Sequence, residues 1–376
     1  MTFATLALIG AAALLGPLLA VPASWRIPVV TGELIAGLVL GVTGFGWLDA
    51  SDATFTLLAD IGFALVMFVA GTHVPVRDPV LRGSLLPGAA RAAIVGVVAA
   101  GLGVGLAAVF DTGHAALYAV LMASSSAALI LPIIDAQQLS GPTISRLIPQ
   151  VAIADTACIV ALPLVLDRNR VGPAALGAVA VAGGALILFV ALRALERSGL
   201  RRRAHRLSER RGFALELRIS LVVLFALAAV ATSTHVSIML AGFAAGLAVA
   251  AVGEPRRLAR QVFALTEGFL GPLFFVWLGA SLPVRDLGAH PGLIALGVLL
   301  GVGAIAAHTV LRLRGQPLAL GTLAAAQLGV PVAAATLATQ QNLLTPGEAP
   351  ALLLGALITI AAATVASGRA TRRTSR

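Results

Sequence analysis

One carboxyl interrupts the apolar run LIPQVAIADTACIVALPLVL, Leu147 to Leu166. Asp155, near its middle, is the only formal charge in the run. An acid at the centre of a membrane helix costs on the order of 2.5–3.5 kcal/mol on insertion scales, so such residues are kept for a use, commonly a proton relay or an ion site. A buried carboxyl holds a proton or, once ionised, an alkali cation, and the two exclude one another. Two other apolar stretches carry groups able to ligate a cation beside it. MASSSAALILP contains Ser124, Ser125 and Ser126, followed by Pro132, and AAAQLGVPVAAATLATQQN contains Gln327, Gly329 and Pro331. Proline removes a helical donor and crowds the preceding turn. Both stretches are therefore expected to break near the same depth, so that freed carbonyls and hydroxyls line a polar cavity beside Asp155. Thr156 adds a hydroxyl next to the acid, and Glu33 and His308 are auxiliary candidates. No metal-ligand cluster, phosphate-binding loop or nucleophile triad is present, and no second mid-span acid offers the facing carboxyls of an aspartyl protease. The chain reads as a non-enzyme without a cofactor, and the only metal it calls for is a transported alkali cation at Asp155.

These residues must be positioned by membrane helices. The 376 residues are 59% hydrophobic and 11% charged, with mean hydropathy +0.99; soluble domains run near about 50% and 25%. A spanning helix needs roughly 20 apolar residues. Cutting at charged and Pro/Gly-rich breaks gives thirteen segments, 3–21, 27–46, 54–72, 85–110, 114–134, 147–166, 172–195, 213–232, 235–252, 262–282, 291–311, 316–340 and 348–368. The first has no basic residues before it and reads as a helix, not a cleaved signal. All 26 basic residues are arginine, and cytoplasmic loops carry the basic excess. With the N-terminus outside, the inner ends hold Arg26, Arg77, Arg82, Arg146, the run 197–211, Arg256, Arg257, Arg260, Arg312, Arg314 and the tail, while the outer side holds only Arg168, Arg170 and Arg285. The expected topology is multi-pass, N-outside and C-cytoplasmic. The net charge of +10 thus belongs to membrane orientation and calls for no nucleic acid.

The two halves also resemble each other. GFALVMFVAGTHVPVRD (62–78) aligns with FLGPLFFVWLGASLPVRD (269–286) at an offset of 208, and ELIAGLVLG (33–41) with GFAAGLAVA (242–250) at 209. An odd number of helices in the offset turns the second copy upside down, an arrangement that in transporters brackets a midplane site. The expected layout is a first repeat with a linker helix over 1–195, a cytoplasmic Arg-rich linker over 196–212, a second, inverted repeat over 213–368 and a cytoplasmic tail over 369–376. The residue matching Asp155 is Ala363, so the acid is an addition to one copy rather than a need of the fold.

The segments IPVVTGELIAGLVLGVTGFG (27–46), LADIGFALVMFVAGTHV (58–74), ASSSAALILPIID (123–135), QVAIADTACIVALPL (150–164) and GFLGPLFFVWLGASL (268–282), in this order and spacing, resemble the cation–proton antiporter-2 family, the sodium/hydrogen exchanger-like membrane domain. The resemblance covers about residues 3 to 368. It implies an all-α polytopic fold in which two broken helices cross beside an essential aspartate, a dimerisation domain with a homodimer, and a core domain that moves like an elevator. Asp155 falls on that aspartate, Ser124 to Ser126 on the unwound part of the first crossing helix, and Gln327 to Val332 on the second. Ala154 stands where relatives commonly have Asn, Asp or Gln, and no lysine is available for the pairing found in electrogenic relatives.

The expected function is a monovalent cation:proton antiporter exchanging H+ for Na+ or K+ in a prokaryotic plasma membrane. A single titrating carboxyl implies electroneutral exchange. The alternatives are an inverted-repeat symporter for an organic anion and a degenerate, non-transporting member.

Overall fold

The computed structural model describes residues 1–21, 29–74, 76–77, 79–136, 139, 141–166, 171–199, 213–234, 236–253, 256–341 and 343–374. Arg26, Arg168, Arg170 and the linker arginines from 201 to 211 lie outside them. The described residues are helical, with no strand among them. In chain order the helices are α1 (Phe3–Ala13), α2 (Leu15–Ala20), α3 (Val29–Leu40), α4 (Ala53–Thr72), α5 (Pro79–Phe110), α6 (Ala115–Ala123), α7 (Ala127–Ala136), α8 (Pro142–Leu166) and α9 (Val171–Arg197). They continue as α10 (Leu215–Ser233), α11 (Ile238–Val252), α12 (Arg256–Leu265), α13 (Gly271–Ser281), α14 (Val284–Ala289), α15 (Pro291–Thr309), α16 (Leu318–Ala324), α17 (Gly329–Gln341) and α18 (Glu348–Thr374).

Ten helical stretches are long and apolar enough to cross a membrane, and α3 and α11 are shorter apolar helices. The pair α6 and α7, a single helix interrupted at Ser124–Ser126, supplies the one remaining segment, so the ten, the two and this one make up the thirteen read from the sequence. Backbone hydrogen bonding explains the uniformity. In hydrocarbon every N–H and C=O must be paired within the protein, and a helix pairs them within itself.

The chain forms two compact units, one of residues 1–75 and 172–282, the other of 76–171 and 283–376. Each takes a piece from both halves of the sequence. In the first unit α3 packs on α13 and α4 on α11, and both contacts depend on glycine. A methyl group at Gly37 would collide with the carbonyl of Val276, and one at Gly246 with the carbonyl of Phe68. Small residues of this kind let membrane helices approach backbone to backbone. The two contacts are related by the sequence offset: Gly246 follows Gly37 by 209 positions and Val276 follows Phe68 by 208. Exchanging the halves of the sequence maps one contact onto the other.

In the second unit α5 packs against α6 and α8, and α18 against α15, α16 and α17. Ile130 and Ile134 of α7, Leu147 and Val151 of α8, and Leu323 and Ala324 of α16 share one buried apolar cluster, which also contains Ala363. The position matched to Asp155 by the repeat is thus core packing in α18.

Candidate functional site

The site lies wholly within the second unit, where two helices are interrupted and the interruptions meet. The first separates α6 from α7: Ser124 turns to an extended conformation at φ −70°, ψ 151°, and helix resumes at Ala127. The second separates α16 from α17 over residues 325–328. Interrupted helices strand backbone groups that must find partners elsewhere, and here they find them in each other. The Ser126 N–H donates to Ala326 O at 2.8 Å, the Ser125 hydroxyl donates to Ala324 O at 2.7 Å, and the single proton of the Ser124 hydroxyl is shared between Gln327 Oε1 at 2.7 Å and Leu121 O at 2.8 Å. All three serines are buried.

Asp155 enters this crossing from α8. It is only 6% exposed, and its Oδ2 accepts a hydrogen bond at 2.9 Å from the N–H of Ala127, the first residue of α7. The first N–H groups of a helix have no partner within it, and the helix N-terminus carries partial positive charge. The carboxylate therefore caps α7 and takes stabilisation from its dipole. Its other oxygen, Oδ1, accepts no hydrogen bond among the described residues.

Around this pair stand three further buried polar groups. His308 of α15 is fully buried, with Nδ1 2.9 Å from Ala304 O and Nε2 3.2 Å from the Ser125 hydroxyl. Nδ1 donates to the carbonyl, and Nε2 faces the Ser125 oxygen. Thr359 of α18 accepts from the Gln327 N–H at 3.3 Å while donating to Ala356 O at 2.7 Å, so α18 braces the second interruption. The same helix braces the lead into the first. Glu348, at its start, accepts from Tyr118 of α6 at 2.6 Å and pairs with His114 Nδ1 at 2.7 Å.

Not every predicted residue joins the cluster. Thr156 turns its hydroxyl back to Ala152 O, 2.8 Å away on its own helix. Gly329 and Pro331 occupy the first turn of α17, past the interruption, and Pro132 lies inside α7; neither proline coincides with a break. Glu33 belongs to α3 of the first unit, where it is buried and feels the charge of Glu267. Conversely, Gln150 escaped the sequence reading. It sits five residues before Asp155 on α8, is 1% exposed, and neither its amide oxygen nor its nitrogen has a hydrogen-bond partner among the described residues. Its signal was available, because it is the only amide in the run from Leu147 to Leu166.

A carboxylate oxygen and serine hydroxyls whose protons are committed to other acceptors are all hard oxygen donors. A hydroxyl that has given its proton to a carbonyl still offers lone pairs. The arrangement is thus equipped to hold one small cation or one proton at Asp155.

Comparison with known proteins gives the family and the fold. Residues 10–368 match the family model described as sodium/hydrogen exchanger, transmembrane. The chain belongs to that family, a family of transporters and not of enzymes. Among its relatives, the Bacillus subtilis protein named "Putative Na(+)/H(+) antiporter YjbQ" is 24% identical over 94% of this chain and 61% of its own length. The Na(+)/H(+)-K(+) antiporter GerN of Bacillus cereus is 22% identical over 69% of this chain and 67% of its own. The chain therefore spans about three-fifths of the first relative and two-thirds of the second. The solved structure of the sodium proton antiporter MjNhaP1 from Methanocaldococcus jannaschii superposes with a TM-score of 0.64 at 16% identity, covering 97% of each chain. That match establishes the antiporter fold.

Proposed function

We propose that the protein is a secondary antiporter exchanging a monovalent cation, Na+ or K+, for a proton, with Asp155 as the ligand the two ions share. The observation that carries the reading is the buried Asp155 carboxylate at the meeting of two helix interruptions, one oxygen capping α7 and the other unbonded. Competition at one carboxylate couples the fluxes: the cation enters as the proton leaves, and each discharges the other. With one such carboxyl the exchange is electroneutral. Ser124 and Ser125 supply further oxygen ligands, and Gln327 holds the serines in place through its bond to Ser124. Potassium stands beside sodium because relatives are named for both ions.

Alternating access is of the elevator type, with the unit that bears Asp155 carrying the ion, in a homodimer. The inverted-repeat layout, 1–195 and 213–368 about an Arg-rich linker, is supported by the offset-related contacts Gly37–Val276 and Gly246–Phe68. The arginine asymmetry supports a plasma-membrane orientation with the N-terminus outside.

Proteoliposomes loaded with a pH-sensitive dye test the reading. Sodium or potassium pulses are expected to drive proton movement in the native protein, and Asp155→Asn is expected to reduce it to the rate of empty liposomes. Undiminished exchange in Asp155→Asn would refute the shared ligand.

A further inference from the structure

Away from the cation site, the first unit contains a cavity of about 280 Å³ between the last turn of α4 and the first turns of α12, lined by Val69, Thr72, His73, Arg260, Val262 and Phe263. Thr72 is the last residue of one candidate span and Arg257 the first of another, so the cavity opens where the spans end, at the depth of lipid headgroups. Its walls are of two kinds. Val69, the buried Val262 and the Phe263 ring, which is 59% exposed, form an apolar side. Arg260 is exposed at the polar end, and Arg257, one turn earlier on the same face, is half-buried.

The donors at the polar end can be counted. The Thr72 hydroxyl donates to Val69 O at 2.8 Å, and His73 Nδ1 lies 2.8 Å from that same oxygen. Glu267 faces His73 electrostatically. The arginines are left as the cationic donors of the cavity. Helix α12 reads RRLARQVFAL and contains no acid, and no described carboxylate lies within ion-pair distance of Arg260. The guanidinium fork matches the geometry of a phosphate, and two arginines, with no ion-paired carboxylate on Arg260 among the described residues, favour a net anionic headgroup over a zwitterionic one. We propose that this cavity binds an anionic phospholipid, with Arg260 on the phosphodiester, Arg257 adding charge, and an acyl chain against Val262 and Phe263. The occupant is a lipid of the surrounding leaflet and not free phosphate, because half of the lining is apolar and one aromatic ring is left uncovered.

Native mass spectrometry of the purified full chain, offered equimolar dioleoyl phosphatidylglycerol and dioleoyl phosphatidylcholine, reads the preference directly. Retention of phosphatidylglycerol over phosphatidylcholine is expected. Arg260→Ala and Arg260→Gln are each expected to lower it about fivefold, the effect of one arginine at a membrane surface, and Phe263→Ala is expected to lower it as well. Arg193→Ala, which removes an arginine stacked over Phe189 in α9, is expected to change nothing. Equal retention of the two lipids, unchanged retention in both Arg260 variants, an equal loss in Arg193→Ala, or displacement of the lipid by inorganic phosphate would each overturn the proposal. All variants are compared as monodisperse protein, and two Arg260 variants are used so that misfolding of one does not decide the result.

Discussion

The two helix interruptions meet, but they are built from opposite chemistry. The first, Ser124–Ser126, supplies donors: two hydroxyls and one N–H. The second, residues 325–328 with the end of α16, supplies acceptors: the carbonyls of Ala324 and Ala326 and the amide oxygen of Gln327. The donor-rich break draws two of its three donors from side chains, the Ser124 and Ser125 hydroxyls. An acceptor-rich break needs almost none, since backbone carbonyls suffice. The difference shows how a polar crossing can be assembled from one serine cluster and a nearly featureless alanine stretch. It also assigns Asp155 its structural partner, because its bond goes to the donor-rich side, at the start of α7.

Asp155 itself gives the largest expected effect. Asp155→Asn keeps a carbonyl oxygen able to accept from Ala127, whereas Asp155→Leu removes the acceptor altogether. Exchange is expected to vanish in both. Only the leucine variant is expected to lose stability as well, by about 0.5–2 kcal/mol, the usual cost of a lost helix cap. Thermal unfolding in detergent separates the two, and an asparagine variant as unstable as the leucine variant would contradict the capping role.

This asymmetry also explains what could be read beforehand. The serine triplet and the lone acid stand out because each is expensive in hydrocarbon, and both lie at the crossing of the two interruptions. The thirteen segments were legible for the same reason: uninterrupted apolar runs have no other stable form in lipid. The expected second segment, Gln327 to Val332, overlaps the break at residues 325–328 only at its start, because proline does not cause the break and Gln327 is its one conspicuous residue. Thr359, which braces the crossing, is a single hydroxyl in a long helix. Nothing in spacing distinguishes it from the threonines that merely bond back to their own helix, as Thr156 does. Glu33, an auxiliary candidate, stands out for a related reason, since a buried acid is conspicuous wherever it lies, and it belongs to the other unit.

The donor side is sharpened by Ser125→Ala. It leaves the buried Ala324 carbonyl without its partner and strips His308 Nε2 of its only neighbouring hydroxyl. Leaving a buried group unpaired costs about 1–3 kcal/mol, and that loss is expected in thermal unfolding together with slower exchange. Ser125→Thr, which keeps the hydroxyl, is expected to recover most of the stability. The acceptor side is held more loosely. Thr359→Val removes one long bond, 3.3 Å, to the Gln327 N–H and is expected to cost about 0.5–1.5 kcal/mol. Because Gln327 in turn orients Ser124, the apparent affinity for the cation is expected to fall more than the maximal rate. Thr359→Ser is expected to restore it, and a valine variant with unchanged cation affinity would remove Thr359 from the brace.

The smallest expected effect falls on Pro331, the residue that most resembles a helix breaker. It is the third residue of α17, and the first backbone bond of that helix runs from the Val332 N–H to Leu328 O at 3.0 Å. The N–H that proline lacks would have had no partner within the helix, since the first turn leaves its donors unbonded. Proline there removes nothing, and its fixed φ is already that of a helix. Pro331→Ala should therefore leave the second interruption open, with a stability change within about 1 kcal/mol, the entropy that proline takes from the unfolded chain, and with exchange unaltered. If instead the alanine variant lost exchange, the break would be proline-driven, and the view that carbonyl bonding to the serine side holds it open would fail. A near-neutral Pro331→Ala beside a damaging Ser125→Ala would place the cause of both interruptions on the donor side of the crossing.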